Sequence, residues 1–121
     1  MSAVDFPTLL EELLSRVAGT EGALVLDEQG LTIAQAGRAV RVNLEAAGAE
    51  ASLLLRETMA ASERLGHGGV TEILVETERA RLAMIPLKNN CCLCLLMSPE
   101  SVVGRGLFEA RRTACVLDQS L

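Results

Sequence analysis

Apolar residues recur at helical spacing from the start of the chain, with Leu9, Leu10, Leu13, Leu14 and Val17 on one stripe. Asp5 stands where an N-cap belongs, Pro7 falls in the first turn, and Val4 and Leu9 can staple that end. Gly19 is the expected stop. The period then changes. Ala23-Leu24-Val25-Leu26 and Leu31-Thr32-Ile33-Ala34 flank Asp27-Glu28-Gln29-Gly30, which predicts a hairpin turning on the positive φ that Gly30 permits. Gly37 and Arg38 open an exposed connector.

Asn43 is the expected cap of a long helix that runs to about Leu65 and stops at Gly66-His67-Gly68-Gly69. Its main stripe is Leu44, Ala47, Gly48, Ala51, Leu55, Thr58, Met59, Ser62 and Leu65. A second stripe, Ala46, Ala49, Leu53 and Ala60, lies on the far side. One apolar stripe is enough to seat a helix on a sheet, so the second asks for another partner, and its small residues let a neighbouring helix approach closely. Three strands follow. Val70–Thr77 places Ile73 and Val75 on one face against Glu72, Leu74 and Glu76 on the other. Ala80–Ile85 returns, and Lys88-Asn89-Asn90 turns into Cys91–Met97. That last run is apolar at every position, as a strand covered on both faces is. Ser98-Pro99 is the expected start of a final helix with Val103, Leu107, Ala110, Ala114 and Leu117 inward. Gly104 and Gly106 fit close packing in its first turns or a looser start. The order α-β-β-α-β-β-β-α predicts one α/β sandwich over residues 1–121, a sheet with helices on both faces.

Composition narrows the function. Half of the 121 residues are apolar, which excludes a disordered tail, and a chain of this length can bury about two-thirds of its surface. Phe contributes two residues, Trp and Tyr none, a composition that does not suit a protein stacking on bases or sugars. The net charge is −5, with Lys88 the single lysine and the arginines dispersed apart from Arg111-Arg112. Nucleic-acid binding begins with counterion release by clustered cations, and this chain is not built for it. The opening MSAVDFPTLLEELL has an acid at position 5 and no basic region, which does not read as a signal peptide. No apolar run reaches the roughly 20 residues of a membrane span. A cytoplasmic protein is expected.

Chemistry-bearing residues are sparse. His67, the one histidine, sits in a glycine-rich turn with no flanking motif, and GHGGV lacks the Gly-Lys-Ser/Thr ending of a phosphate loop. Glu11, Glu12, Glu45, Glu50, Glu57 and Glu63 show no convergent pairing and read as solvated helix faces. Cys92 and Cys94 are two apart in a strand and share a face, while Cys91 takes the other. Their first reading is as small buried hydrophobes. An alternative is a metal or redox sensor built on Cys91, Cys92 and Cys94, with Cys115 as a third ligand beside Cys92 and Cys94 if the last helix covers that face. No cofactor is expected.

Taken in order, these segments resemble the Roadblock/dynein light-chain (LC7) family, particularly its stand-alone bacterial MglB-like branch. ALVLDEQGLTIA matches its first hairpin, NLEAAGAEASLLL its Ala-rich long helix, and LGHGGVTEILVE its glycine turn and third strand. RLAMIPL and CCLCLLM match the closing strands, and GRGLFEARR the final helix. The resemblance covers nearly the whole chain. It implies a profilin-like, five-stranded antiparallel sheet in the order 2-1-5-4-3, and a homodimer whose long helices pair while third strands join edge to edge. On that reading Ala46, Ala49, Leu53, Ala60, Ile73 and Val75 form the dimer interface. It also implies a non-enzymatic scaffold or regulator of a small Ras-like GTPase. Some members activate GTP hydrolysis without an arginine finger of their own, and others are dynein light chains. Glu50, Arg56, Glu57 and Glu63, exposed on the long helix, are the expected partner-binding residues.

Overall fold

A computed structural model describes residues 5–37 and 43–121. Its elements are α1 (Phe6–Arg16), β1 (Thr20–Leu26), β2 (Thr32–Gly37), α2 (Leu44–Arg64), β3 (Ile73–Glu76), β4 (Arg81–Pro86), a short 3-10 turn (Lys88–Asn90), β5 (Cys92–Met97) and α3 (Val103–Asp118). The strands form one antiparallel sheet in the order β2-β1-β5-β4-β3. The expected architecture is the observed one. β5 lies at the centre with every residue buried, as its continuous apolar run requires.

Alternation along the central strands divides the core in two. Val25, Leu93, Leu95 and Met97 face α1 and α3, where they meet Leu10, Leu13, Val17, Ala110, Ala114 and Leu117. Leu24, Leu26, Met84, Cys92, Cys94 and Leu96 face α2 and meet Ala51 and Leu55. Two of the three hairpins, β1–β2 and β4–β5, show how their residues dictate the turn. Gly30 has φ +83°, and the Asp27 carboxylate accepts from the backbone N–H groups of Gln29 and Leu31, both at 2.9 Å. Asn89 and Asn90 both sit at φ 59°, in the left-handed region that Asn tolerates in tight hairpin turns.

The three helices start in different ways. Asn43 accepts from Glu45 and Ala46 N–H and starts α2. Asp5 occupies the N-cap of α1, but its carboxylate takes the Thr8 hydroxyl at 2.6 Å instead of a backbone donor. The Val4 half of the staple and Arg38 lie outside the described residues. Ser98-Pro99 does not cap α3: the helix begins at Val103 behind Val102, which offers no side-chain cap. The intervening segment is committed elsewhere. Ser98 N–H donates to Gly19 O, Ser101 N–H to Ser98 O, the Ser101 hydroxyl to Ala18 O, and Arg81 to Pro99 O. These bonds tie the end of β5 to the α1–β1 corner and delay the helix by a turn. Close packing at the start of α3 holds for Gly106, where a Cβ would run into Met97 Sδ, and not for Gly104, which faces open space. β3 is also shorter than Val70–Thr77, pairing only from Ile73 to Glu76.

Candidate functional site

The surface of interest is built on α2. Gly48 rests on β1, so close that a Cβ would meet Leu26 Cδ2 at 2.9 Å, and this fixes the rotation of the helix. Ser52 turns toward the β1–β2 hairpin and touches Gly30, while Ala51 and Leu55 enter the core with Met84 and Cys94. At about 100° per residue, each flank of the helix follows from these anchors. Beyond Ser52 come Glu45, Arg56, Ala49, Ala60, Leu53 and Ala46, passing from the β2 side to the outer crown, and all six are exposed. Beyond Ala51 come Thr58, Ala47, Leu65, Leu54 and Ala61 on the side of β4 and β3. Thr58, Ala47 and Ala61 are half-buried there, close to where residues 66–72 return to the sheet and the Ser62 hydroxyl donates to Gly68 O at 2.7 Å.

The predicted residues therefore fall in different places. Ala46, Ala49, Leu53 and Ala60 lie on the crown and the β2 side. Ile73 and Val75 lie at the opposite edge of the sheet, half-buried against the α2-side core. The structure does not bring these two groups together. Glu50, Arg56, Glu57 and Glu63 are all exposed, spread from the crown to the β2 flank. Met59 and Leu65, read as part of the buried stripe, are exposed at 39% and 68%, toward the end of the helix. Leu54, at 37% exposed, is a residue that sequence reasoning does not single out. Its signal is the run Leu53-Leu54-Leu55: three consecutive leucines sweep about 200° of helix, more than one buried face can cover.

The cysteines occupy the places their alternation predicts. Cys92 and Cys94 point toward α2 with Sγ atoms 3.9 Å apart, and Cys91 joins the opposite cluster. The hydrogen bond to Cys92, and then burial, push the Cys94 thiol well above its ordinary pKa. Burial, followed by nearby carboxylates led by Asp27, raises Cys91. Thiols held protonated in an apolar core are poor nucleophiles and poor ligands. Cys115 is exposed on α3, with the sheet between it and the Cys92–Cys94 pair, so it does not complete their site. Among the described residues no group of three or more His, Cys, Asp and Glu side chains is placed to hold a metal ion. A crevice of about 270 Å³ between α2 and the β4–β5 turn is lined by Leu55, Met59, Pro86, Leu87 and Cys92, rimmed by Asp27 and Arg56. Ser52, Cys91 and Glu28 line it as well, and among the described residues no hydrogen bond joins a hydroxyl or thiol there to either carboxylate; His67, exposed in the turn after α2, is not in its lining.

Two ion-pair systems tie α3 down. Arg111 donates to both Glu72 carboxylate oxygens at 2.7 Å, and these hydrogen bonds hold Glu72 below the ordinary carboxylate range. Glu109, 1% exposed, lies between Arg105 at 3.3 Å and Arg112 at 3.4 Å. Arg112 also lies over the Phe108 ring, 5.8 Å from its centroid.

The model of the Roadblock/LC7 domain matches residues 8–97, about three-quarters of the chain. The chain belongs to the Roadblock/LC7 family. Solved structures share the fold. A Roadblock/LC7 domain from Streptomyces avermitilis is 23% identical with a TM-score of 0.83, over 96% of this chain and 95% of that one. MglB of Myxococcus xanthus is 12% identical with a TM-score of 0.84, over 94% and 92%. The gliding protein MglB of Thermus thermophilus is 20% identical with a TM-score of 0.84, over 95% and 87%. A search of curated proteins finds no match. Among the described residues no helix is long and apolar enough to cross a membrane.

Proposed function

We infer that this Roadblock chain is a non-catalytic, cytoplasmic homodimer that regulates a small Ras-like GTPase docked on its paired long helices. The observation that carries the dimer is the free edge of β3 lying on the same side as the apolar flank of α2 formed by Leu54 and Leu65. A two-fold axis through that edge pairs β3 with its copy and sets Ala47, Leu54, Thr58, Ala61 and Leu65 against the same residues of the other α2. Ile73 and Val75 then stay beneath the joined helices. Ala46, Glu50, Leu53 and Glu57, on the crown, remain open in such a dimer and form the platform. The regulatory role rests on the family resemblance and on the MglB proteins that share the fold.

Two measurements test this reading. Sedimentation equilibrium gives the assembly: a dimer is expected for the unaltered protein, a monomer for Leu54→Glu, and a dimer for Leu53→Glu. Titration calorimetry against the Ras-like GTPases of the source organism, loaded with GDP or a non-hydrolysable GTP analogue, gives the partner. Binding in one nucleotide state that Leu53→Glu weakens at least tenfold is the expected result. A monomer at high concentration removes the dimer, and no binding in either nucleotide state removes the regulatory role.

A further inference from the structure

The dimer just described uses one edge of the sheet and one flank of α2, and two independent features meet at the other. β2 is the second edge strand, and Thr32–Gly37 contains no charged residue and no proline. Natural sheets blunt their edges with such residues because unpaired backbone donors and acceptors recruit another strand. β3 follows that rule: it is four residues long, is bounded by Glu72 and Glu76, and is tied to α3 by the Glu72–Arg111 pair. β2 has only a bulge at Ile33, where the register slips between Val25 and Leu26. The second feature is apolar exposure. Along this edge Ile33, at the bulge, is 47% exposed and Leu31, just before the strand, 63%. α2 packs on β1 and β5, so β2 projects beside the helix as a ledge whose wall is the Ala49 side of α2, with Leu53 at its upper rim. The surplus stripe on α2 thus looks out over a strand edge that pairs with nothing among the described residues.

We propose that this ledge docks an extended segment of a partner protein, which adds to β2 as a sixth strand. Its backbone satisfies the outer donors and acceptors of Thr32–Gly37, and alternate apolar side chains lie against Ile33 and the Ala49–Leu53 wall. Charge selects the occupant. Asp27 and Glu28 stand at one end of β2 and Glu21 at the other, beside the Gly22–Gly37 pair, with Glu45 in the first turn of α2, while Arg56 turns to the crevice beside Pro86 and Leu87. An alternating apolar segment with basic residues at both ends matches that pattern, and an acidic one is repelled. The other face of β2 is closed by α1, which packs on Ala34 and Ala36, so the added strand meets solvent there only through small or polar side chains. This site does not depend on the β3 dimer and stays open whether or not that dimer forms.

The probe is an acetylated, amidated peptide of alternating valine and threonine with two lysines at each end, compared with the same peptide carrying glutamates there. Amide exchange followed by NMR on the full chain reads the site. The lysine peptide is expected to slow exchange at Thr32–Gly37 and to bind at least tenfold more tightly than the glutamate peptide at low salt. Ile33→Lys, a change at an exposed position, is expected to lower its affinity at least tenfold while leaving the spectrum of the core intact. Leu53→Ala gives a second, milder loss. Protection that appears at Ile73–Glu76 instead, equal binding of both peptides, or no slowing at β2 with millimolar lysine peptide each overturns the proposal.

Discussion

Glu109 is the residue whose burial asks most of its neighbours. A carboxylate 1% exposed is tolerated because Arg105 and Arg112 reach it from a turn before and a turn after on the same helix. Arg105 also donates to Arg16 O, so one guanidinium caps the end of α1 and neutralises the core of α3. Removing both arginines, Arg105→Ala with Arg112→Ala, should cost about 3 kcal/mol in urea unfolding, and more than the two single losses added, because the second removal strands the charge. The thiols separate by position in the same way. In the native protein at pH 8 an aromatic disulfide reagent should label Cys115 alone, with Cys91, Cys92 and Cys94 reacting only after unfolding. Two rapidly labelled thiols would reopen the sensor reading. Glu72 adds a pH dependence. Its folded pKa is lowered by Arg111, so its stabilisation is present above the unfolded glutamate value of about 4.3 and fades as pH falls through the lower folded value. Glu72→Gln should lower stability most at pH 7, where the pair is charged, with the loss shrinking as pH falls through that acid window, so the variant's stability is flatter there.

At the scale of elements, the two glycines at the start of α3 make a paired test. Gly104 faces open space, so Gly104→Ala should raise stability by up to about 1 kcal/mol through helix propensity. Gly106 lets the helix settle on Met97, so Gly106→Ala should lower stability by about 1–3 kcal/mol, since the side chain it displaces is buried in the sheet. Thermal unfolding of the two variants under one condition gives both signs. If both moved the same way, helix propensity alone would account for this segment and the close approach would carry no energy. α2 shows the opposite economy. Its alanines serve the helix on every face, and only the anchors at Gly48, Ser52 and Ala51 decide which faces the sheet.

For the whole molecule, the decisive property is that one five-stranded sheet has two edges and α2 has two flanks, and each flank overlooks one edge. Leu54 and Leu65 stand beside β3, while Ala49 and Leu53 stand beside β2. The assembly prediction follows from that division. Leu65→Glu should dissociate the dimer as Leu54→Glu does, and Leu53→Glu should leave its sedimentation unchanged; a monomer produced by Leu53→Glu alone would return the interface to the crown.

Element order, the central place of β5, the cap at Asn43, the β1–β2 and β4–β5 turns and the facing of the three strand cysteines were all legible in the residues. Each depends on local spacing: period 3.6 against period 2, side chains that cap or turn their own backbone, and an apolar run too continuous for an edge. The family was legible as well, since it is carried by the order of those same pieces. What the spacing could not show was which side of α2 looks at which edge. Hydrophobic period finds a stripe but not its azimuth relative to a particular strand, and here the azimuth was set by two contacts between residues distant in the chain, Gly48 on Leu26 and Ser52 on Gly30. The late start of α3 had the same origin, because Ser98 and Ser101 spend their bonds on Gly19 and Ala18 across the fold. Buried Glu109 did too, since a glutamate in a helix reads as solvated until its neighbours are known. Local chemistry chose the elements, and contacts between distant residues chose their faces.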